Sequence, residues 1–155
     1  MTDRSVVHAT FVIERLYDAP PSRVFAAFAD PALHDRWFVK ANNWPIADYT
    51  HDFRVGGHEK GRFSPDGSTM IFNDTVFQDI VPDRRIVSAY TMTIGDKRIS
   101  SSLATIELIA EGSRTRLIYT EQGAFLDGAD QPESREQGCG SLFDSLGAEL
   151  ERKTA

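Results

Sequence analysis

Apolar and polar positions change their period along this chain, and the change predicts its elements. Near the C-terminus Cys139, Leu142, Phe143, Leu146 and Leu150 recur at helical spacing, while Glu133, Asp144, Glu151 and Arg152 fall elsewhere on the wheel. At about 100° per residue the apolar positions share one stripe. Pro132 to Lys153 is therefore predicted as one long amphipathic helix, with Asp130 as N-cap and Glu133 as its capping-box partner. Such a stripe must be buried against something, and almost everything upstream reads as strand.

His8 to Asp18 carries Phe11, Ile13 and Tyr17 on one face with Arg15, and Val12 and Leu16 on the other, so both faces are expected to be partly covered. Ala19-Pro20-Pro21-Ser22 stops that strand. Val24, Phe25, Ala27 and Phe28 then give a short helix its buried face, and Asp30-Pro31 starts a second through Leu33 to Trp37. From Ala47 a period of two takes over: Tyr49, His51, Phe53 and Val55 alternate with Asp48, Thr50, Asp52 and Arg54. Gly56-Gly57 and Pro65-Asp66-Gly67 are turns on either side of a return strand, His58 to Ser64. Strands are expected over Met70–Val81, Arg85–Ile94, Lys97–Ala110 and Thr115–Gln122, with a long loop from Gly123 to Ala129. The prediction is α+β: a curved antiparallel sheet wrapped around the C-terminal helix, with two short helices after the first strand.

Length changes this picture little: 155 residues suit a single domain, 1–155, able to bury a real core. Charge excludes some partners. The net charge is −6 and the basic residues are scattered, so neither nucleic acid nor an anionic membrane is an expected partner. No apolar run is long enough to span a bilayer. Met1-Thr2-Asp3-Arg4-Ser5 does not lead into an apolar stretch, so no signal peptide is expected. With one cysteine there is no internal disulfide, and a cytoplasmic setting is the default.

Particular residues add a resemblance. Arg15-Leu16-Tyr17-Asp18-Ala19-Pro20-Pro21 followed by Val24-Phe25, and Asp30-Pro31 followed by Trp37-Phe38, look like the two helix entries of the helix-grip fold. Asp52-Phe53-Arg54-Val55-Gly56-Gly57, Phe77-Gln78-Asp79-Ile80-Val81-Pro82 with Arg85-Ile86-Val87, and Thr115-Arg116-Leu117 with Thr120-Glu121-Gln122-Gly123 continue it. The chain resembles the START and birch-pollen-allergen-like (SRPBCC) superfamily, in the branch related to the activator of the heat-shock-protein-90 ATPase. The resemblance implies the helix-grip fold from about Thr10 to Leu150. Its members include lipid carriers, hormone receptors, aromatic cyclases and co-chaperone domains, so it implies no single activity. One departure stands out: many members carry Gly-Trp early in the last helix, where this chain has Gly138-Cys139-Gly140.

Candidate chemistry is sparse. His51, between Tyr49 and Phe53, is either a ligand contact that exchanges a proton near neutral pH or a hydrogen-bonded core histidine. Glu121 shares a face with Leu117 and Tyr119; it is either a perturbed acid–base group or a strand-end carboxylate, solvated or paired with an arginine. Arg135, on the helix stripe, is its candidate partner or simply reaches water. Trp37, Phe38 and Trp44 are candidates for core or for the lid of a ligand tunnel, with Trp44 the better lid. Cys139 reads as a small buried hydrophobe. A His51/His58 metal pair is conceivable, but His8 and His34 show no ligand spacing with it, and neither a metal nor a cofactor is expected.

The function these features favour is a binding protein for a small apolar or amphipathic molecule, held between sheet and helix. Its expected lining is Trp44, Tyr49, His51, Phe53, Tyr90, Tyr119, Glu121, Arg135, Cys139, Leu142 and Phe143. Two alternatives stay open: an enzyme of cyclase or hydrolase type with His51 or Glu121 as general base, and a co-chaperone-like interaction domain. An open sheet edge could also support a homodimer.

Overall fold

The computed structural model describes residues 5–39, 46–64 and 67–152. Seven strands form one curved antiparallel sheet: β1 (Val6–Tyr17), β2 (Ile46–His51), β3 (His58–Phe63), β4 (Ile71–Val81), β5 (Arg85–Ile94), β6 (Lys97–Glu111) and β7 (Arg114–Leu126). Their order is β1-β7-β6-β5-β4-β3-β2. Strands two to seven thus make the expected meander, and β1 closes against its last strand in unbroken register from Val6↔Leu126 to Tyr17↔Thr115. Two short helices, α1 (Pro21–Ala29) and α2 (Pro31–His34), follow β1, and a π-helical turn, Asp35–Val39, continues α2. The long helix α3 (Pro132–Glu151) lies across the concave face. This is the sheet wrapped around a C-terminal helix that the hydrophobic pattern predicts, and the helix-grip fold that the resemblance implies.

The stripe on α3 divides along its length. Phe143, Leu146 and Leu150 are buried and pack with Ile13, Tyr17, Leu108 and Leu117 in the core. The Tyr17 hydroxyl donates to the Phe143 carbonyl at 2.7 Å, and Arg15 reaches Asp144 at 2.9 Å, so β1 fixes the axial position of the helix. Leu142 and Cys139, a turn earlier, face a space that the sheet leaves open. α1 seals the far end with Val24, Ala27 and Phe28, and the Trp37 indole N–H donates to the Ala27 carbonyl at 2.8 Å.

Four expectations need correction. β1 is covered on one face only, since Val12 is 54% exposed and Leu16 is exposed too; among the described residues nothing packs over their side of this edge strand. β2 ends at His51: Phe53 and Val55 lie in the following turn, and Asp48 adopts a left-handed φ of 56° beside the irregular pairing between Ala47 and Thr50. β7 does not stop at Gln122. It runs to Leu126, paired with β1 and β6, because Gly123 is a packing residue and not a turn: a Cβ there would meet Ser102 Oγ at 2.9 Å and the Phe125 ring at 2.8 Å. Finally, the N-cap of α3 is Gln131, without a side-chain cap. The Asp130 carboxylate instead accepts from the Gln131 N–H and from Arg135, so no capping box forms with Glu133.

Candidate functional site

Between the concave sheet, the π-turn and the first half of α3 lies a cavity of about 530 Å³. Its walls are mainly apolar and aromatic, drawn from α1 (Phe28), the π-turn (Trp37, Phe38), the strands (Phe63, Phe77, Ile106) and α3 (Leu142, Phe143). Phe53, though outside β2, still reaches this wall, with its ring edge-on to Phe77 and Phe25 at centroid distances of 5.0 and 5.7 Å. Two groups of polar side chains interrupt the apolar surface.

The first group stands under the start of α3. Glu121 is fully buried mid-strand on β7. The Tyr119 hydroxyl donates to its Oε1 at 2.6 Å, and the Tyr90 hydroxyl sits between both oxygens at 2.8 and 2.7 Å. Arg135 Nη1 lies 3.3 Å from Glu121 Oε2 and donates to the Tyr90 oxygen at 2.9 Å. Its Nη2 donates to Ser100 at 2.7 Å and to Asp130 at 2.8 Å. The guanidinium also stacks over the Phe125 and Tyr90 rings. Burial pushes both tyrosines well above their ordinary range, followed by the negative Glu121 for Tyr90 and by Tyr90, Cys139 and then Glu121 for Tyr119. Burial alone would pull Arg135 down, but Tyr90 and Glu121 outweigh it, so the guanidinium stays charged. Burial and Glu121 also push the Cys139 thiol up to about 12, which leaves it a thiol and not a nucleophile at neutral pH. Among the described residues no buried side-chain donor or acceptor of this group lacks a partner, so the group is a rigid, electrically compensated floor for the cavity.

The second group lies beneath α2. Cross-strand pairing sets His51 directly opposite Glu59, and α2 ends with His34 above them. The His34 Nε2–H donates to Glu59 Oε2 at 2.7 Å, and the Tyr49 hydroxyl donates to the same oxygen at 2.6 Å. Gly61 makes room for Tyr49, because a Cβ there would touch its ring at 3.0 Å. Burial opposes charge on Glu59, but His34 and the Tyr49 hydroxyl more than offset it and hold the carboxyl below its usual value. The His51 ring stacks on His34 at 4.7 Å. Burial holds His51 below its ordinary value, against the pull of Glu59. Three buried ring nitrogens in this group, His34 Nδ1 and both of His51, have no hydrogen-bond partner among the described residues.

Of the residues expected from sequence, His51, Phe53, Tyr90, Tyr119, Arg135, Cys139, Leu142 and Phe143 lie on the cavity wall. Tyr49 and Glu121 stand behind it, each engaged in hydrogen bonds, and Trp44 lies outside the described residues. Glu121 is neither solvated nor at a strand end: it is the buried partner of Arg135. The suggested His51/His58 pair does not form. His58 projects from the opposite face of β3 and pairs with Asp74 at 2.9 Å. Sequence reasoning missed His34 and Glu59, although both left a trace. His34, Trp37 and Phe38 share one helical face, and a hairpin closed at Gly56-Gly57 sets Glu59, not His58, across from His51.

Comparison with known proteins gives the lineage. A crystal structure of a Rhizobium loti protein is 51% identical, covering 94% of this chain and 99% of that one, with a TM-score of 0.88. A Rhizobium leguminosarum protein described as putative and uncharacterized is 41% identical over 98% of this chain and 100% of its own, with a TM-score of 0.92. A Chromobacterium violaceum protein is 27% identical over 93% and 98%, with a TM-score of 0.76. No curated protein matches. The family model described as activator of Hsp90 ATPase homolog 1-like protein matches residues 18–151. With the helix-grip sheet, the two helix entries and this match across most of its length, the chain belongs to the activator of Hsp90 ATPase homolog 1-like family, within the SRPBCC superfamily.

Proposed function

We propose that this protein binds a small, mostly apolar molecule in the cavity between its sheet and α3. The observation that carries this reading is the cavity itself: about 530 Å³ of unfilled, aromatic-lined space in a domain whose remaining core is packed. Protein interiors rarely leave such space, and small-molecule sites occupy about 300–1,000 Å³. The polar groups suit an amphipathic guest. Arg135 is already balanced by Glu121 and Asp130, so that end favours a neutral polar group over an anion. At the other end His51 offers unpaired ring nitrogens to a hydroxyl or amide. Of the two candidate general bases, Glu121 is behind the wall with its oxygens engaged, which leaves His51 as the one with access to a guest.

Native mass spectrometry of the purified chain, then denaturing extraction, tests this reading together with titration of an environment-sensitive apolar dye. The expected result is a co-purifying small molecule, or saturable dye binding by the empty protein that Leu142→Trp abolishes by filling the space. Absence of any bound molecule, together with dye binding that Leu142→Trp leaves unchanged, would overturn it.

A further inference from the structure

We propose that His34, His51 and Glu59 form a site for a divalent transition-metal ion of the zinc class, with its open coordination position turned to the cavity. One donor atom from each residue lies within 4.8 Å of the others, although they come from α2, β2 and β3. Two imidazoles and a carboxylate are a donor set that zinc accepts, and three protein ligands leave a position free for water or a guest.

Two further observations support the assignment. The unpartnered nitrogens of His34 and His51 are the first. Buried polar atoms in native structures are almost always satisfied, and each unsatisfied one costs roughly 1–3 kcal/mol. The His34–Glu59 hydrogen bond accounts for His34 Nε2 and leaves His34 Nδ1 and both His51 nitrogens without a partner among the described residues. The second is the hydroxyl of Tyr49, which holds the Glu59 carboxylate from behind as outer partners of metal ligands do.

The two rings stack 25° from parallel, so they cannot both aim a lone pair at one ion as they stand. His51 must turn out of the stack. It gives up no hydrogen bond in doing so, and the cavity beside it supplies the space. The Glu59–His34 contact of 2.7 Å must open slightly, since ligands at about 2.0–2.2 Å from a tetrahedral ion stand roughly 3–3.5 Å apart.

The test uses the full chain, stripped with chelator and titrated with cobalt(II) as a spectroscopic stand-in and with zinc by calorimetry. One ion per chain should bind, with a visible cobalt d–d band and histidine ligation. Loss of an outer partner already weakens metal sites by roughly 10–100-fold, so His51→Ala should weaken binding by at least about 100-fold. Glu59→Gln should shift the cobalt band. His58→Ala, at the other face, and Cys139→Ser should change neither. Circular dichroism and melting of His51→Ala separate ligand loss from misfolding, and His51→Gln, which keeps volume without an imidazole, should repeat the loss. No saturable binding at micromolar metal, or binding that survives both His51 variants, would overturn the proposal. So would loss of binding on His58→Ala. The metal alone is the probe, so the outcome does not depend on whether the cavity takes an organic guest.

Discussion

Replacing Arg135 by methionine keeps much of the aliphatic volume under α3 and removes the guanidinium from the cavity floor. Four hydrogen bonds go with it, to Glu121, Tyr90, Ser100 and Asp130. Asp130 is partly exposed and can turn to water, but Glu121 is 0% exposed and retains its two tyrosine hydroxyls and the weak Cys139 thiol donor. Breaking a buried pair from one side costs about 3–5 kcal/mol, chiefly because the other charge stays desolvated. The surviving tyrosine bonds place this case near the lower end, about 3 kcal/mol. For a chain of this size each kcal/mol moves Tm by roughly 2–4 °C, so a fall of about 6–12 °C is expected. Urea unfolding followed by tryptophan fluorescence gives the free energy, with buried Trp37 as reporter. Glu121→Gln keeps an acceptor for the tyrosines without the charge. In a double-mutant cycle it should recover at least about 1 kcal/mol of the Arg135→Met loss. A loss below about 1 kcal/mol, or additivity within about 0.5 kcal/mol, would refute the reasoning and make this pair no stronger than a surface contact.

Other perturbations separate the two halves of α3 and the two polar groups. Leu146→Ala, in the packed half, should cost about 2–5 kcal/mol, whereas Leu142→Ala, beside existing space, should cost less than about 2 kcal/mol; equal costs in urea titration would contradict the division of the stripe. Gly138→Ala should stabilise the helix by about 0.5–1 kcal/mol, because a Cβ there meets nothing within 4 Å, and a lower Tm would show a hidden clash. The folded pKa values of His51 and Glu59 both lie below their ordinary values, so the unfolded chain takes up their protons first. Their contribution is complete above pH 6.5 and declines as pH falls, first through His51 and then, below about 4.5, through Glu59. The urea midpoint should therefore drop from pH 7 to pH 5, and His51→Ala should flatten that drop; an unchanged slope would exclude His51 as its source.

The fold was legible because its signals are local. The period-two strands, the glycine turns and the stripe on α3 each bury one face, and together they leave few topologies. The turn residues misled where they had a second use: Gly123 reads as a loop start but relieves a clash inside β7. Asp130 reads as a cap but serves Arg135. Part of the cavity wall was also visible, since Tyr119 shares a strand face with Leu117, and Cys139 and Leu142 lie on the helix stripe. The histidine group was not. It needs a hairpin register, a strand that ends at His51 and a helix end carried over the sheet, and of these only the pairing of His51 with Glu59 beside the Gly56-Gly57 turn leaves a local trace. Long-range placement of this kind leaves no spacing in the sequence for a metal motif to match.

The central claim is that the space under α3 receives a small apolar guest. Isotope-edited NMR of the labelled chain, titrated with a panel of small aromatic and aliphatic amphiphiles, tests it most directly. The account predicts saturable shifts confined to the wall, at Phe38, His51, Phe53, Tyr90 and Leu142, with His58 and Val12 on the outer face unmoved. Shifts that map to the outer face, or no saturable binding across the panel, would contradict it.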